Sequence, residues 1–173
     1  TLRPELTASV VRAFLQNNLN KDSSISKLFY FSSAFRRERP QKGRLRQFHQ
    51  FGIEAIGSPY PECDAEIISA AYLFLKNLGL SDLTIKINSI GSGQVRKVYS
   101  KELIKYFKSN KSKLSEISQK RLTSNPLRIL DTKNPQEIEL LEQAPSIQNY
   151  LTEDDSTHFQ EVLTILESLN IPY

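Results

Sequence analysis

A pair of aromatic-rich stretches on either side of a basic loop is the feature that most constrains the fold. The first stretch, residues 27–38, reads KLFYFSSAFRRE, and the second, residues 46–57, reads RQFHQFGIEAIG. Aromatic and β-branched residues favour strands, and the turn-forming residues Pro40 and Gly43 lie between the two stretches. The sequence therefore predicts a long-looped antiparallel hairpin over residues 28–56.

The return strand of this hairpin carries an unusual row of side chains on one face. Residues two apart share a face of a strand, and the row that this spacing brings together is Phe48, Gln50, Gly52 and Glu54. A core face would be expected to carry Val or Ile. An aromatic ring, an amide, a gap and a carboxylate instead suit a surface that binds a planar group at one end and a cationic group at the other.

The loop of the hairpin is strongly basic, with six Lys or Arg and a single acid, Glu38, between Arg36 and Arg46. Guanidinium groups match phosphate oxygens with two parallel hydrogen bonds and keep their charge. The hairpin therefore suits a nucleotide whose base stacks on Phe48 and whose phosphates are held by Arg36 and Arg44. A solvated basic loop, or a patch that binds nucleic acid, remains the alternative.

The N-terminal segment, TLRPELT, adds polar groups. If it is extended, Glu5 and Thr7 share a face and offer a carboxylate and a hydroxyl to an ammonium group. Thr7 is also predicted to cap the following helix. The apolar residues that indicate this helix are spaced three and four apart: Val10, Val11, Phe14 and Leu15.

The rest of the chain shows two different sequence patterns, one mixed and one helical. A helix is predicted over residues 61–80, with Gly79 as its stop signal, and a half-buried strand over residues 82–88. The predicted apolar stripe of that helix comprises Ile67, Ile68, Ala71, Phe74, Leu75 and Leu78. From residue 92 onward the pattern is helical, so we predict an α+β domain at residues 1–91 and an all-helical domain at residues 92–173.

Charge is distributed unevenly in the helical part. Residues 92–121 hold nine basic residues and two acids, whereas residues 131–167 hold nine acids and one lysine. A basic helix face is one route to RNA phosphates, although lysines on non-apolar positions also simply keep a helix soluble. The residues assigned to weak tRNA contact are Arg96, Lys97, Lys101 and Lys105. The last helix should include Phe159, Val162, Leu163, Leu166 and Leu169, with Thr152 and Asp155 as a capping box.

Composition limits the kinds of protein and the cellular compartments that remain possible. No stretch is apolar enough for a membrane span, and no signal peptide is visible. The single cysteine, Cys63, suits a reducing compartment, so we expect a cytoplasmic protein. The two histidines and one cysteine form no cluster with metal-ligand spacing, so no metal ligands are predicted. The chain begins with Thr1 and contains no Met, so we expect a piece of a larger protein.

Several strings together resemble a known family. FRRE at residues 35–38, followed by the loop and Phe48, resembles motif 2 of the class II aminoacyl-tRNA synthetases. The strings LRPELT, RPQKGRLRQFHQFGIEAIG, DAEII, INSIGS and NPLRILDTKNP follow in order along the chain and resemble histidyl-tRNA synthetases of the bacterial type. The resemblance covers essentially all of the sequence. It implies part of the class II antiparallel catalytic sheet with flanking helices, and a helical insertion domain that contacts tRNA.

The resemblance also implies a reaction and roles. Histidine and ATP, with Mg²⁺, would give histidyl-adenylate, and the histidyl group would then pass to tRNA(His); the parent protein would be a homodimer. The implied catalytic residues are Arg36, on the α-phosphate and the substrate carboxylate, and Gln50. The implied ATP-binding residues are Arg36, Glu38 at the adenine amine, Arg44 at the distal phosphates and Phe48 under the adenine. The implied histidine-binding residues are Glu5, Thr7 and Gln50 at the ammonium and Glu54 at the imidazole.

Two features qualify this interpretation. Many bacterial relatives carry Gly where Leu6 stands, and motifs 1 and 3, the histidine-specific signature and the anticodon-binding domain are expected outside residues 1–173. We therefore expect these residues alone to be inactive. The alternatives are the synthetase-like regulatory subunit of ATP phosphoribosyltransferase and a non-catalytic RNA-binding module using the helix from Arg96 to Lys113. The strings at Glu5, residues 35–38 and Glu54 argue against the regulatory subunit.

Overall fold

The computed structural model describes residues 2–21, 24–39 and 41–173. It divides into two compact units. The first unit comprises Thr1–Ile85 and Val162–Pro172, and the second comprises Lys86–Glu161 with Tyr173. The described residues form six α-helices and one two-stranded antiparallel sheet, which confirms the predicted α+β class. The proposed domain boundary after residue 91 stays a prediction.

The first helix, α1, spans Thr7–Gln16. Leu6 occupies its N-cap position and is buried, and its apolar side chain makes no capping hydrogen bond. The prediction that Thr7 caps α1 is therefore wrong: Thr7 is its first residue. The Thr7 hydroxyl instead donates a hydrogen bond to Glu54, which lies 47 residues further along the chain.

Strands β1, Ser26–Phe35, and β2, Gln47–Ile56, pair antiparallel in a register that places Tyr30 opposite Gly52 and Phe35 opposite Gln47. The predicted hairpin is confirmed. Pairing continues one step into the loop, where the Arg36 amide donates to the Arg46 carbonyl at 2.9 Å. The turn signal at Pro40 lies outside the described residues.

Helix α2 spans Pro61–Asn77 and ends as predicted. Gly79 has φ +86°. Its amide donates to the Lys76 carbonyl at 2.9 Å, and the Leu80 amide donates to the Leu75 carbonyl at 3.3 Å. A glycine in this left-handed conformation, with these two bonds, forms a Schellman stop.

The buried face of α2 differs from the predicted stripe. Its buried residues are Pro61, Ala65 and Ser69. Phe74 packs on Phe51 of β2 with ring centroids 4.7 Å apart, but Leu78 is 65% exposed. The second half of the predicted apolar stripe therefore lies at the surface of this unit.

The predicted strand at residues 82–88 is not part of a sheet in the described chain. The predicted alternation of buried and exposed side chains is nevertheless present. Leu83, Ile85 and Ile87 are half-buried, and the residues between them are exposed. Alternation reports which side chains face the protein, whereas a strand also needs a hydrogen-bonded neighbour. Among the described residues, β1 and β2 pair only with each other.

Four further helices follow: α3 Gly93–Ser109, α4 Glu116–Ser124, α5 Pro135–Glu142 and α6 Glu153–Ser168. Short 3₁₀ turns lie at Lys111–Lys113, Pro126–Ile129 and Ile147–Tyr150. The core of the second unit comprises Val95, Tyr99, Leu103, Phe107, Leu114, Leu122, Ile129, Leu140 and Ile147. None of the helices in the described residues is long and apolar enough to cross a membrane.

Side chains define the helix starts in the second unit. Ser92, Ser115 and Asn134 each accept a hydrogen bond from the first turn of α3, α4 and α5. The capping box predicted at α6 is confirmed, because the Asp155 amide donates to the Thr152 hydroxyl at 3.1 Å and the Thr152 amide donates to the Asp155 carboxylate at 3.3 Å. These partners also lower the pKa of Asp155, the Thr152 hydroxyl most of all.

Candidate functional site

One face of the hairpin forms the floor of the candidate site. Opposite the predicted row on β2, the same face of β1 contributes Ala34, Ser32, Tyr30 and Leu28. The N-terminal segment contacts β1 and this face at two points. Arg3 donates to the Ser33 carbonyl at 2.7 Å and to the Ser32 hydroxyl, and Thr7 reaches Glu54. Glu5 lies between these contacts in the sequence.

A carboxylate and two hydroxyls meet at one end of the floor. The Thr7 hydroxyl donates to Glu54 Oε1 at 2.7 Å, and the Tyr30 hydroxyl lies 3.5 Å from Thr7 Oγ1. Because the single proton of Thr7 points to Glu54, the oxygen of Thr7 is left as an acceptor. The Glu5 carboxylate accepts the Ala8 amide at 3.1 Å, where a negative charge favours the start of α1.

Gln50 has an unsatisfied acceptor. Its Oε1 atom is buried and makes no hydrogen bond with any described residue. A buried polar atom without a partner costs about 1–3 kcal/mol, so such an atom in a native structure calls for an explanation. A ligand donor that reaches this face between Phe48 and Glu54 would supply the missing bond.

Arg36 and Phe48 lie together at the other end of the floor. The centre of the Arg36 guanidinium is 5.1 Å from the centroid of the Phe48 ring, within the range of a cation–π interaction. Arg36 Nε donates to the Pro4 carbonyl at 2.8 Å. One arginine therefore connects the N-terminal segment to the aromatic end of the site, and its terminal nitrogens provide donors for an anion.

The basic loop holds a weak ion pair between two of the predicted ATP-binding residues. Arg44 Nη1 lies 3.6 Å from Glu38 Oε2, and the two side chains are 58% and 36% exposed. Such surface pairs contribute little, about 0–1 kcal/mol, so a ligand can separate them at small cost. Arg46 Nε donates to the Glu38 carbonyl at 3.2 Å, and this hydrogen bond links the two ends of the loop.

Sequence reasoning missed several residues of this region. Arg37 is one of them: together with the predicted residue Arg36 and with Arg46, it lines an open hollow of about 630 Å³ beside Leu2, Phe35 and Gln47, and three guanidinium groups together favour an anionic ligand. Tyr30 and Arg3 were also missed. The period-two rule applied to β1 would have placed Tyr30 and Ser32 on one face. Their opposition to Gly52 and Gln50 required the register, which the sequence did not supply.

The basic residues assigned to tRNA lie on α3 in the second unit. Lys97, Lys101 and Lys105 are four residues apart and exposed, so they form one row along the helix. Arg96 is exposed as well. The buried side of the helix carries Val95, Tyr99, Leu103 and Phe107. The helix is therefore amphipathic, with a positive row on its solvent side.

No group of three or more His, Cys, Asp or Glu side chains that could hold a metal ion occurs within the described part of the chain.

The fold and this site correspond to a known class of protein. A sequence model of the histidyl-tRNA synthetase family matches residues 1–153. Because the match covers most of the chain, the chain belongs to the histidyl-tRNA synthetase family. The resemblance stated from the sequence motifs is confirmed.

Individual relatives agree with this assignment. The chain is 50% identical to the histidine–tRNA ligase of Streptococcus mutans and 48% identical to that of Acholeplasma laidlawii, in each case over 100% of the chain and 41% of the relative. The crystal structure of apo Staphylococcus aureus histidyl-tRNA synthetase superposes with a TM-score of 0.74 at 33% identity, covering 99% of this chain and 39% of that one. The chain thus spans about two fifths of the length of these relatives.

Proposed function

We propose that the protein is a histidine–tRNA ligase that activates histidine with ATP and transfers it to tRNA(His). In the first step, the histidine carboxylate attacks the α-phosphorus of ATP, and the bond to the pyrophosphate oxygen breaks. In the second step, a hydroxyl at the tRNA 3′ end attacks the activated carbonyl, and AMP leaves. Family membership supports the proposal, and the unsatisfied buried oxygen of Gln50 is the structural observation that carries it.

The geometry supports a histidine at the Gln50–Glu54 end of the floor. An ammonium group has three donors and no acceptor. Gln50 Oε1, the Thr7 oxygen and the Glu5 carboxylate are three acceptors on or beside this face. Glu54, which lies two same-face residue pairs beyond Gln50 on β2, would accept a ring N–H of the imidazole. Histidine carries both kinds of donor, whereas an aliphatic amino acid would leave Oε2 of Glu54 without a donor, since Thr7 donates only to Oε1.

The other end of the floor suits the nucleotide. The Phe48 ring offers a stacking surface for adenine, and Arg36, already 5.1 Å from that ring, is within reach of an adjoining phosphate. Negative charge that develops on the α-phosphate during attack would be stabilised by a fixed guanidinium. We propose that Glu38 binds the adenine amine and that Arg44 binds the distal phosphates once their mutual ion pair opens. Mg²⁺ would arrive with the ATP phosphates.

The proposal is tested by histidine-dependent exchange of pyrophosphate into ATP, measured on the full-length protein. Exchange is expected with histidine and not with other amino acids. Replacing Glu54 by Gln should raise KM for histidine about 20-fold, because a hydrogen bond to a charged acceptor becomes a bond to a neutral one. The matched control is Glu66→Gln on α2, whose carboxylate pairs with Lys27 at the surface.

Absence of exchange in the unaltered protein would contradict the proposal and favour the regulatory-subunit or RNA-binding alternatives. Exchange that is unaffected by Glu54→Gln would contradict the role of Glu54 alone. We also propose, from the resemblance, that the protein acts as a homodimer in the cytoplasm; a sedimentation measurement at the mass of one subunit would contradict the dimer.

The basic row of α3 gives a separate prediction about tRNA. Each lysine that contacts a phosphate releases counterions when it binds. Replacing Lys101 and Lys105 by Ala should weaken tRNA binding and lower the slope of log affinity against log salt by about 1.5. The measurement is filter binding or anisotropy between about 50 and 200 mM salt. Replacing the exposed lysines Lys21 and Lys133 is the control, and an equal change in both slopes would contradict a specific role for α3.

A further inference from the structure

Tyr30 fills the gap that Gly52 leaves in the floor of the site. The two residues are paired across the hairpin. A Cβ atom added to Gly52 would lie 2.2 Å from both Cζ and Oη of Tyr30, so the phenol ring lies directly against the bare backbone of β2. A strand glycine often marks such a close approach. The ring therefore forms the floor between Gln50 and Glu54.

The Tyr30 hydroxyl extends this floor into a directed chain of hydrogen bonds. It lies 3.5 Å from Thr7 Oγ1, and Thr7 Oγ1 donates to Glu54 Oε1 at 2.7 Å. A threonine hydroxyl has one proton and two acceptor lone pairs. Since that proton goes to Glu54, any hydrogen bond between the two hydroxyls must be donated by Tyr30. The order is therefore Tyr30 to Thr7 to the Glu54 carboxylate.

We propose that Tyr30 is a positioning residue for histidine recognition, and this inference rests on the histidine–tRNA ligase function proposed above. Tyr30 acts through Thr7 to orient Glu54. With Oε1 engaged by Thr7, the carboxylate is held in one rotamer, and its Oε2 atom is available to accept a ring N–H of the substrate. Thr7 is the single described residue that donates to Glu54.

This arrangement explains why recognition would select a donor ring. The hydroxyl protons of Tyr30 and Thr7 both point toward Glu54. The carboxylate itself has no proton to donate, so it presents only acceptor lone pairs to the ligand. A ring with an N–H at that position completes the network, whereas a ring of the same size without that donor leaves Oε2 of the carboxylate without a hydrogen bond, which is penalised. The phenol ring over Gly52 limits the depth of the same region through packing.

The test is Tyr30→Phe in the full-length protein. This change keeps the ring over Gly52 and removes only the hydroxyl. KM for histidine should rise about five- to tenfold, as expected for loss of one hydrogen bond. In contrast, kcat and KM for ATP should stay within about twofold, because the hydroxyl does not act on the nucleotide. Histidine affinity measured by calorimetry should fall by the same factor, and this reports on the folded protein directly.

Two comparisons separate a positioning role from a structural one. Tyr60→Phe removes the hydroxyl of a tyrosine that is 65% exposed, and it should leave both constants unchanged. In a Thr7→Val background, Tyr30→Phe should raise KM for histidine by less than about a further twofold, since the hydrogen bonds that link Tyr30 to Glu54 are already lost there. Unchanged histidine affinity in Tyr30→Phe, or an equal effect with and without Thr7, would overturn the proposal. Absence of histidine-dependent pyrophosphate exchange in the unaltered protein would instead contradict the proposed function.

Discussion

Replacement of Arg36 by Gln in the full-length protein is expected to lower kcat for histidine-dependent pyrophosphate exchange by about 10²–10³-fold, the usual effect of removing one preorganised donor from a developing charge. Arg36 lies at the aromatic end of the floor, 5.1 Å from the Phe48 centroid. Gln keeps much of the side-chain length and one donor group, but it lacks the charge and the second arm of the fork.

A graded series sharpens this prediction. Arg36→Lys keeps the charge and loses the planar fork, so its effect should be smaller, about tenfold. The matched control is Arg12→Gln, an exposed arginine on α1 of the same unit. Exchange within about tenfold of the unaltered protein in Arg36→Gln would contradict the assignment of Arg36 to the phosphate.

The contact between Arg36 and Pro4 offers a second explanation for any loss of activity in Arg36→Gln. This structural effect must be separated from the loss of a catalytic group. Arg36 Nε holds the Pro4 carbonyl at 2.8 Å, next to Glu5. If the substitution acted only by releasing this segment, KM for histidine would rise while kcat at saturating substrate stayed high. A fall in kcat at saturating histidine and ATP is expected instead, because an interaction made mainly in the transition state lowers kcat.

The site illustrates what local patterns can and cannot predict. The row from Phe48 to Glu54 was predictable, because alternation depends only on the backbone of one strand. The position of Tyr30 over Gly52 was not, since it depends on the register of two strands separated by a long loop. Thr7 shows the same limit. Its residue type favours a cap, yet its hydroxyl serves a carboxylate that is distant in the sequence.

The second half of the chain shows a related limit for charged residues. Its helices were predictable from apolar spacing and caps, and the capping box at α6 was located correctly. Glu137 was only counted among the nine acids of residues 131–167, with nothing to distinguish it from the others, and it is 1% exposed. Burial of a charge depends on partners from other elements, here the start of α4 and the turn before α5.

Replacement of Glu137 by Ala is expected to destabilise the second unit by about 3 kcal/mol, because three hydrogen bonds to a charged group are lost and buried donors are left unpaired. The Glu137 carboxylate accepts the Ser115 amide at 2.7 Å and the Ser118 hydroxyl at 3.0 Å, and it also accepts the Thr132 hydroxyl. Denaturant unfolding of the full-length protein, followed by hydrogen exchange of the α4 amides, measures the loss. Glu139→Ala, an exposed acid on the same helix, is the control.

The same carboxylate makes this stability depend on pH in a predictable direction. Burial raises the pKa of Glu137, but hydrogen bonds from Thr132, Ser115 and Ser118 outweigh burial and leave the pKa below its ordinary value. The folded state therefore favours the ionised form. This stabilisation is complete above the pKa of an unfolded glutamate, about 4.3, and is lost as the pH falls through the folded value. Glu137→Gln cannot titrate, so its stability deficit should shrink between about pH 6 and pH 3. A deficit that stays constant over this range would contradict an ionised Glu137, because loss of packing alone does not depend on pH.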